Sequence, residues 1–324
     1  MKLLSPVKFA KESISNLFSS TSALVKAKFD SSFHPYQLTK KVENIKTVKN
    51  ILNLIFIFLI MFQILKNVWK MKDIIWRLAI TDIKMKYVGS YLGVIWSLLE
   101  PMLLIVIYSL VFPAILKVSF TEWLLFFICG LIPYRFFRNG VSSMITSLVD
   151  FSDILRKSRL DPKIVFISKG VSTLISFLIE ISIVLIFVFV FFGVSYSILF
   201  LPFIILLHFL FNTGLALFLA VNYPKFRDIN YIFQIVSEAF MFLTPIVYRI
   251  QHIPTDFREI YVANPLVKLI YLYQWSFLFS PSLAEYFSLS PFNEILIFGA
   301  ISTVLFLSGY KYFGKKVKKS LEVL

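Results

Sequence analysis

Residues 164–193 read IVFISKGVSTLISFLIEISIVLIFVFVFFG, a run of thirty residues with two charged positions. An α-helix needs about 20 consecutive apolar residues to cross the roughly 30 Å hydrocarbon core of a bilayer. This run exceeds that length, and it is longer than a typical strand or an average helix of a soluble domain. It therefore predicts a membrane-spanning helix, and with it an integral membrane protein.

The rest of the chain has the same apolar character. Of its 324 residues, 58% are hydrophobic and 16% are charged, and the mean hydropathy is +0.80. A soluble domain has about 45–50% apolar and about 25% charged residues, so this composition fits a bilayer better than water. The predicted fold is all-α, an integral membrane protein with six transmembrane helices. The five further spans are Val94–Leu116, Trp123–Leu148, Ser197–Val221, Ile229–Tyr248 and Phe292–Tyr312.

The positions of lysine and arginine predict the orientation. With residues 66–86 on the cytoplasmic side, seventeen Lys and Arg residues fall in cytoplasmic segments and four in outer segments. Cytoplasmic loops of membrane proteins carry such an excess. We therefore expect a multi-pass protein of the cytoplasmic (inner) membrane with both termini in the cytoplasm. The net charge of +15 then indicates attraction to an anionic inner leaflet and not nucleic-acid binding.

The chain divides into four parts around these spans. The first is a loosely ordered N-terminal extension and the second a cytoplasmic interfacial helix. The third is the six-span membrane domain and the fourth a short cytoplasmic tail. Their predicted bounds are 1–65, 66–93, 94–316 and 317–324.

Two apolar segments outside the six spans need a separate interpretation. Ile51–Leu65 is too short to span a bilayer comfortably and is expected to be interfacial or re-entrant. A second interpretation is that translation starts at Met71, which would keep all six spans. The outer connection 251–291 is far longer than loops usually are without structure of their own. We expect it to form short interfacial or re-entrant helices between spans five and six.

The interfacial helix is predicted from an interrupted amphipathic pattern. Apolar residues fill most of residues 66–87 outside one polar stripe. Lys72, Asp82 and Lys86 break the apolar face, so the helix is expected to contact something polar besides lipid. The alternative is an ordinary juxtamembrane linker. The polar stripe consists of Lys66, Lys70, Asp73, Arg77, Thr81 and Lys84.

Sites typical of soluble enzymes are absent from the sequence. Cys129 is the only cysteine, and it lies inside an apolar run. Gly309–Lys315 imitates the start of a P-loop, but Lys316 stands where a Ser or Thr hydroxyl should reach magnesium. We expect no metal site, no cofactor and no ATP site, hence a protein that is not an enzyme. The histidines lie far apart without ligand spacing: His34, His208 and His252.

Charged residues inside the predicted spans point to function. Each costs at least a few kcal/mol against lipid, so each needs a partner or water. The structural interpretation is Arg–Glu pairing between helices, and the functional one is a polar path for an anionic group. Arg135 and Arg138 are three residues apart and are expected to share a helix face. Glu180 and Glu238 are the intramembrane acids. The candidate path residues are Trp123, Tyr134, Arg135, Phe137, Arg138 and Glu180.

Five stretches in order resemble the permease subunits of ABC-type polysaccharide exporters. The resemblance covers roughly residues 69–316 and leaves 1–65 without a counterpart. Two positions depart from the family pattern, namely Gln274, where an Arg is expected, and Glu238 in the fifth span. The matching stretches are 81–101 (TDIKMKYVGSYLGVIWSLLEP), 130–137 (GLIPYRFF), 222–229 (NYPKFRDI), 244–248 (TPIVY) and 263–266 (ANPL).

This resemblance implies a homodimer that works with two separate ATP-binding cassette ATPase subunits. The implied function is outward export of a lipid-linked polysaccharide such as an O-antigen, capsule or teichoic-acid-like polymer. The inner loop 150–163 carries charges of both signs, which either form a solvated face or dock the ATPase subunits. The expected ATPase-coupling residues are Asp153, Arg156, Lys157, Arg159, Lys70, Arg77 and Lys84.

Two other functions fit part of the sequence. A type-2 ABC permease that exports a drug or another small hydrophobic molecule shares the six-span plan but needs no polar path. A membrane-bound lipid-linked sugar transferase would need clustered acids or histidines at the membrane face. The inner loops show no convincing cluster of that kind.

Overall fold

The computed structural model describes residue 63 and residues 66–158, 160–193, 196–250, 253–278 and 290–323. The chain forms two compact units, 1–72 and 73–324, and the second carries all the structure discussed below. Several predictions concern residues that lie outside this description. They are those for 1–62, for the apolar segment 51–65 except residue 63, and for Arg159. The same holds for 279–289 in the outer connection.

The described residues are helical and contain no strand. A local signal is visible at the start of the helix Pro162–Phe192, where the Asp161 carboxylate accepts a hydrogen bond from the backbone N–H of Lys163 and Pro162 takes the first helical position. The helices are α1 (Lys72–Lys86), α2 (Trp96–Leu116), α3 (Phe120–Asp150), α4 (Ser152–Lys157), α5 (Pro162–Phe192), α6 (Leu201–Ala220), α7 (Asp228–Phe242), α8 (Thr255–Ala263), α9 (Pro265–Leu278) and α10 (Pro291–Leu321).

Five of the six predicted spans are helices long and apolar enough to cross a membrane. Helix α10 runs on to Leu321, beyond the expected end of the span at Tyr312. The five segments are Trp96–Leu116, Phe120–Asp150, Pro162–Phe191, Tyr196–Ala220 and Pro291–Leu321.

The remaining predicted span, Ile229–Tyr248, is not one continuous helix. Helix α7 ends at Phe242 after 15 residues, and turns follow up to residue 249. At 1.5 Å per residue this helix is about 22 Å long, shorter than the hydrocarbon core. Pro245 explains the early end, because proline cannot donate a backbone hydrogen bond and disfavours helical geometry at the residue before it.

Helix α3 lies at the centre of the packed helices. It contacts α2, α5, α6, α7 and α9. Phe127, Val141 and Met144 on this helix are fully buried. Over an apolar stretch of 18 residues, 78% of the residues of α3 are buried, against 11% for α2. Side chains of α3 can therefore reach partners on most of the other helices.

Helices α6 and α10 cross at a very close approach between two glycines. A Cβ added to Gly214 would lie 2.7 Å from the backbone nitrogen of Phe306. A Cβ added to Gly309 would lie 2.6 Å from the carbonyl oxygen of Gly214. Small residues allow such backbone contact between membrane helices.

Two short helices, α8 and α9, follow α7 in the region where the sequence predicts short helices. No side chain of α8 is buried, whereas most of α9 is. Lys268 on α9 donates to Glu294 in the first turn of α10 over 2.6 Å, and both side chains are almost fully buried. This ion pair attaches α9 to α10.

Candidate substrate site

A polar cavity of about 570 Å³ lies among the helices, lined from α1, α2, α3, α5 and the start of α7. Charged side chains are rare inside a bilayer because each must face a partner or water. A cavity lined by several of them among spanning helices is therefore unusual. Its charged lining residues are Asp82, Lys86, Glu100, Arg135, Lys169 and Glu180. Uncharged donors and acceptors add to them, including Asn139, Ser142, Ser143, Ser172 and Ser176.

Arg135 is the basic residue of α3 in the described lining of this cavity. Its side chain is 9% exposed, and its Nη1 donates to Glu100 Oε1 over 3.1 Å. Its Nε lies 3.9 Å from Glu180 Oε2, too far for a hydrogen bond. The buried Nε therefore has no acceptor among the described residues.

Lys169 organises the end of the cavity that lies next to α1. Its Nζ lies 2.6 Å from Asp82 on α1 and 2.9 Å from Asp150 at the end of α3. Ser172 donates to the second oxygen of Asp82 over 2.6 Å. The cluster joins α1, α3 and α5, and it supplies the polar contact that the interrupted face of the interfacial helix predicts.

Arg138 lies on a different side of α3 and pairs with α7. Its Nη1 is 2.6 Å from Glu238 Oε2. Four residues earlier, the Tyr134 hydroxyl donates to the carbonyl oxygen of Ser237. Four residues later, Ser142 donates to Asn230 over 2.8 Å. These contacts form a polar seam along one face of α3.

The two arginines, expected to share a face, have no ion-pair partner in common. A separation of three residues leaves two side chains about 60° apart on a helix of 3.6 residues per turn. Long side chains can use that angle to reach different neighbours. Arg135 faces Glu100 and Glu180, whereas Arg138 faces Glu238.

The predicted aromatic path residues are packed in the protein interior. Trp123 donates from Nε1 to the carbonyl oxygen of Val247 over 2.7 Å, and its ring stacks on Phe127 at 4.7 Å. Phe137 packs against Phe211 and Phe233. Of the six candidate path residues, Arg135 and Glu180 line the cavity formed by the described residues. Trp123, Tyr134, Phe137 and Arg138 do not.

The predicted coupling residues are exposed where they are described. Asp153, Arg156 and Lys157 project from the short helix α4, and Arg77 and Lys84 from α1. None of these five forms an ion pair within the described ranges. Lys70 is exposed and belongs to the other compact unit, while Arg159 falls outside the description.

Four charged residues of the cavity are missing from the sites predicted from the sequence, namely Asp82, Lys86, Glu100 and Lys169. Glu100 and Lys169 carry charge inside predicted spans, and that cost in lipid is the signal that could have found them. Asp82 interrupts the apolar face of α1, and its specific partner Lys169 lies 87 residues further along the chain. No group of three metal-ligating His, Cys, Asp or Glu side chains occurs among the described residues.

Comparison with known proteins adds evidence independent of this geometry. The sequence profile of the ABC-2 type transporter family matches residues 73–278. Two proteins from Klebsiella pneumoniae, both named O-antigen export system permease protein RfbA, are each 26% identical to this chain. The first alignment covers 71% of this chain and 90% of the relative, and the second covers 80% of this chain and 97% of the relative. A protein of the same name from Myxococcus xanthus is 25% identical over 66% of this chain and 84% of its own length.

Proposed function

The chain belongs to the ABC-2 type transporter family, and from this premise we propose that it is the permease of an ABC exporter. Its substrate is a lipid-linked polysaccharide of the O-antigen, capsule or teichoic-acid type, moved outward across the cytoplasmic membrane. The export function named for its relatives supports this substrate class. The observation that carries the proposal is the polar cavity of about 570 Å³ among spanning helices, lined by Arg135, whose buried Nε–H has no acceptor among the described residues.

The exporter obtains its energy from separate ATP-binding cassette subunits. We propose a homodimer of this chain with two ATPase subunits, because one chain offers few helices to enclose a glycan-sized path. The exposed charges of α4 and of the α1 stripe dock the ATPase. Lys70 and Arg159 complete this set by their place in the sequence.

The docking proposal is tested by charge reversal on α4. The change Arg156→Glu with Lys157→Glu should reduce co-purification of the ATPase or uncouple its hydrolysis from export, because truncating charged interface contacts costs about 2–5 kcal/mol. The matched control is Lys318→Glu with Lys319→Glu at the end of α10. Normal ATPase recovery and normal coupling in the α4 variant would reject the docking surface.

The proposed topology has six crossings with both ends inside. The fifth crossing combines α7 with residues 243–250, so its outer part is irregular and is held by the protein interior. Thr244 and Ile246 are fully buried, which fits non-helical backbone that is shielded from lipid.

Cysteine labelling tests this topology. In a Cys129→Ala background, the variant Asp256→Cys should react with an impermeant thiol reagent in intact cells. The variant Glu322→Cys should react with it only after the cells are lysed. Both positions are exposed on the protein surface. Labelling of Glu322→Cys in intact cells would overturn the arrangement.

Within the path, we assign Arg135 and Glu180 direct contact with the passing substrate. Arg138, Tyr134, Trp123 and Phe137 hold α3 in place through the contacts described above. Deletion of the gene tests the function: surface glycan should disappear and lipid-linked glycan should accumulate inside. Unchanged surface glycan together with sensitivity to a small hydrophobic drug would favour the drug-exporter alternative.

A further inference from the structure

A second cavity adjoins the polar one and has the opposite character. It is a groove of about 320 Å³ between α2, α3 and α5. Met102 and Val106 line it from α2, Ile128 from α3 and Ile183 from α5. Glu180 is the one charged residue in its described lining, and Glu180 also lines the polar cavity. The two spaces therefore meet at this carboxylate.

The polar cavity presents groups that suit a phosphorylated sugar. Arg135 offers an Nε–H without an acceptor, and guanidinium geometry matches phosphate oxygens. Lys86 adds a second positive charge to the lining. Beyond these two, Asn139, Ser142 and Ser176 supply amide and hydroxyl groups that can bond to sugar hydroxyls.

We infer that the two cavities form one binding site for the lipid-phosphate end of the substrate. The occupant is a polyprenyl phosphate or diphosphate that carries the first sugars of the glycan. Its isoprenoid chain lies in the groove, its phosphate lies at Arg135, and its sugars lie in the polar cavity. This inference rests on the proposed export function and specifies where the carrier lipid binds.

The shape of the apolar part favours this carrier over ordinary phospholipid. A single groove bounded by three helices accepts one hydrocarbon chain, whereas a glycerophospholipid carries two. The polar part is also larger than a phosphate needs, and its volume is within the range of small-molecule sites. Its uncharged hydroxyl and amide lining fits sugar better than an acyl-glycerol.

Glu100 occupies the proposed phosphate position on Arg135. Its carboxylate accepts from Arg135 Nη1 over 3.1 Å, but its side chain is 61% exposed. It can therefore turn towards water when a phosphate replaces it on the guanidinium. Glu100 competes with the substrate, so its neutralisation should strengthen binding.

The experiment uses the full chain in nanodiscs and a photoreactive polyprenyl phosphate as probe. Labelled peptides should come from the groove segments of α2 and α5. Unlabelled polyprenyl phosphate should compete about tenfold better than phosphate-free polyprenol, since a charge-assisted hydrogen bond contributes about 1.5–3 kcal/mol. It should also compete better than phosphatidylglycerol. Equal competition by polyprenol or by phosphatidylglycerol would overturn the inference.

Three variants test the two halves of the site separately. Ile183→Trp fills the groove and should abolish labelling, whereas Val190→Trp, a matched change at an exposed position of α5, should leave it intact. Arg135→Gln should weaken polyprenyl phosphate binding about tenfold but leave polyprenol binding unchanged. Glu100→Gln should tighten polyprenyl phosphate binding. Unchanged labelling in Ile183→Trp, or weaker phosphate binding in Glu100→Gln, would contradict the assignment.

The outcome is separable from the proposed export function. If groove labelling is absent while gene deletion still removes surface glycan, the site assignment fails and the export function stands. If labelling follows the predicted pattern while deletion leaves surface glycan unchanged, the lipid site stands and the export function fails.

Discussion

Two arginines on helix α3 differ in how deeply they are buried and in how completely they are hydrogen-bonded. Towards α2 and α5, the Arg135 side chain is 9% exposed, and one of its buried N–H groups has no acceptor within the described residues. Towards α7, Arg138 is 37% exposed and pairs with Glu238 over 2.6 Å. A charge inside a membrane helix is thus not a functional signal by itself.

The difference lies in how completely each cation is satisfied. An unmade hydrogen bond to a buried group costs about 1–3 kcal/mol, and more for a charged group, so it is rarely left without a reason. Arg138, with a short ion pair in a row of polar contacts, behaves as a link between two helices. Arg135 retains one N–H without an acceptor among the described residues, and the proposed substrate contact would use it.

Lys169 is a third intramembrane cation and supplies the fully paired reference. Its side chain is 11% exposed and contacts Asp82 and Asp150. Lys169→Met should lower the free energy of unfolding by about 3–5 kcal/mol, because two carboxylates lose their counter-charge. Denaturation of the purified protein in detergent measures this loss, with Lys319→Met at an exposed position as the control. A change below about 1 kcal/mol would show that the cluster is solvated.

Arg135→Gln should separate function from folding. Its main partner Glu100 is largely exposed and can return to water, so membrane abundance and dimer recovery should stay near normal. Export should fall about tenfold or more, in line with the loss of one charge-assisted contact to phosphate. Surface glycan and membrane abundance, measured in the same cells, provide the test. Full export by the double variant Arg135→Gln with Glu100→Gln would mean that Arg135 only balances charge.

Arg138→Gln should have the smallest effect of the three. The change leaves Glu238 without its cation inside a predicted span, but a glutamine can still donate a hydrogen bond to that carboxylate, so the loss should stay below that of Lys169→Met, which leaves two carboxylates without their cation. Adding Glu238→Gln should recover most of that loss, and export should remain within about twofold of the parent. A double-mutant cycle on unfolding, with export measured in parallel, tests the assignment. Lost export at normal stability would place Arg138 in the path with Arg135.

The sequence predicts where the helices of this fold lie better than it predicts which helices and side chains contact one another. Residues 164–193 are expected to span and correspond to α5, because length and apolar content determine a membrane helix almost alone. The expected span 229–248 fails as one helix because apolar content does not indicate where Pro245 ends the helical geometry.

The candidate site was only partly accessible from the sequence for a related reason. The spacing of four residues that joins Tyr134, Arg138 and Ser142 does not separate Arg138 from Arg135, because Ser142 lies seven residues from Arg135 and lines the same cavity. That spacing was readable in advance. The pairing of Arg135 with Glu100, 35 residues away, was not, because the rotation of one helix against another depends on packing. The groove against α2 is likewise a product of that packing.

The glycine crossing of α6 and α10 has a mechanical consequence. With backbone atoms already touching, neither helix can slide or rotate against the other without collision, so the pair behaves as a rigid strut. Any rearrangement that admits and releases a bulky cargo must then be borne elsewhere. Of the five spanning helices, α2 has the smallest buried share, with 11% of an apolar 18-residue stretch buried. Displacement during a transport cycle should therefore concentrate in α2, with α6 and α10 as the stationary frame.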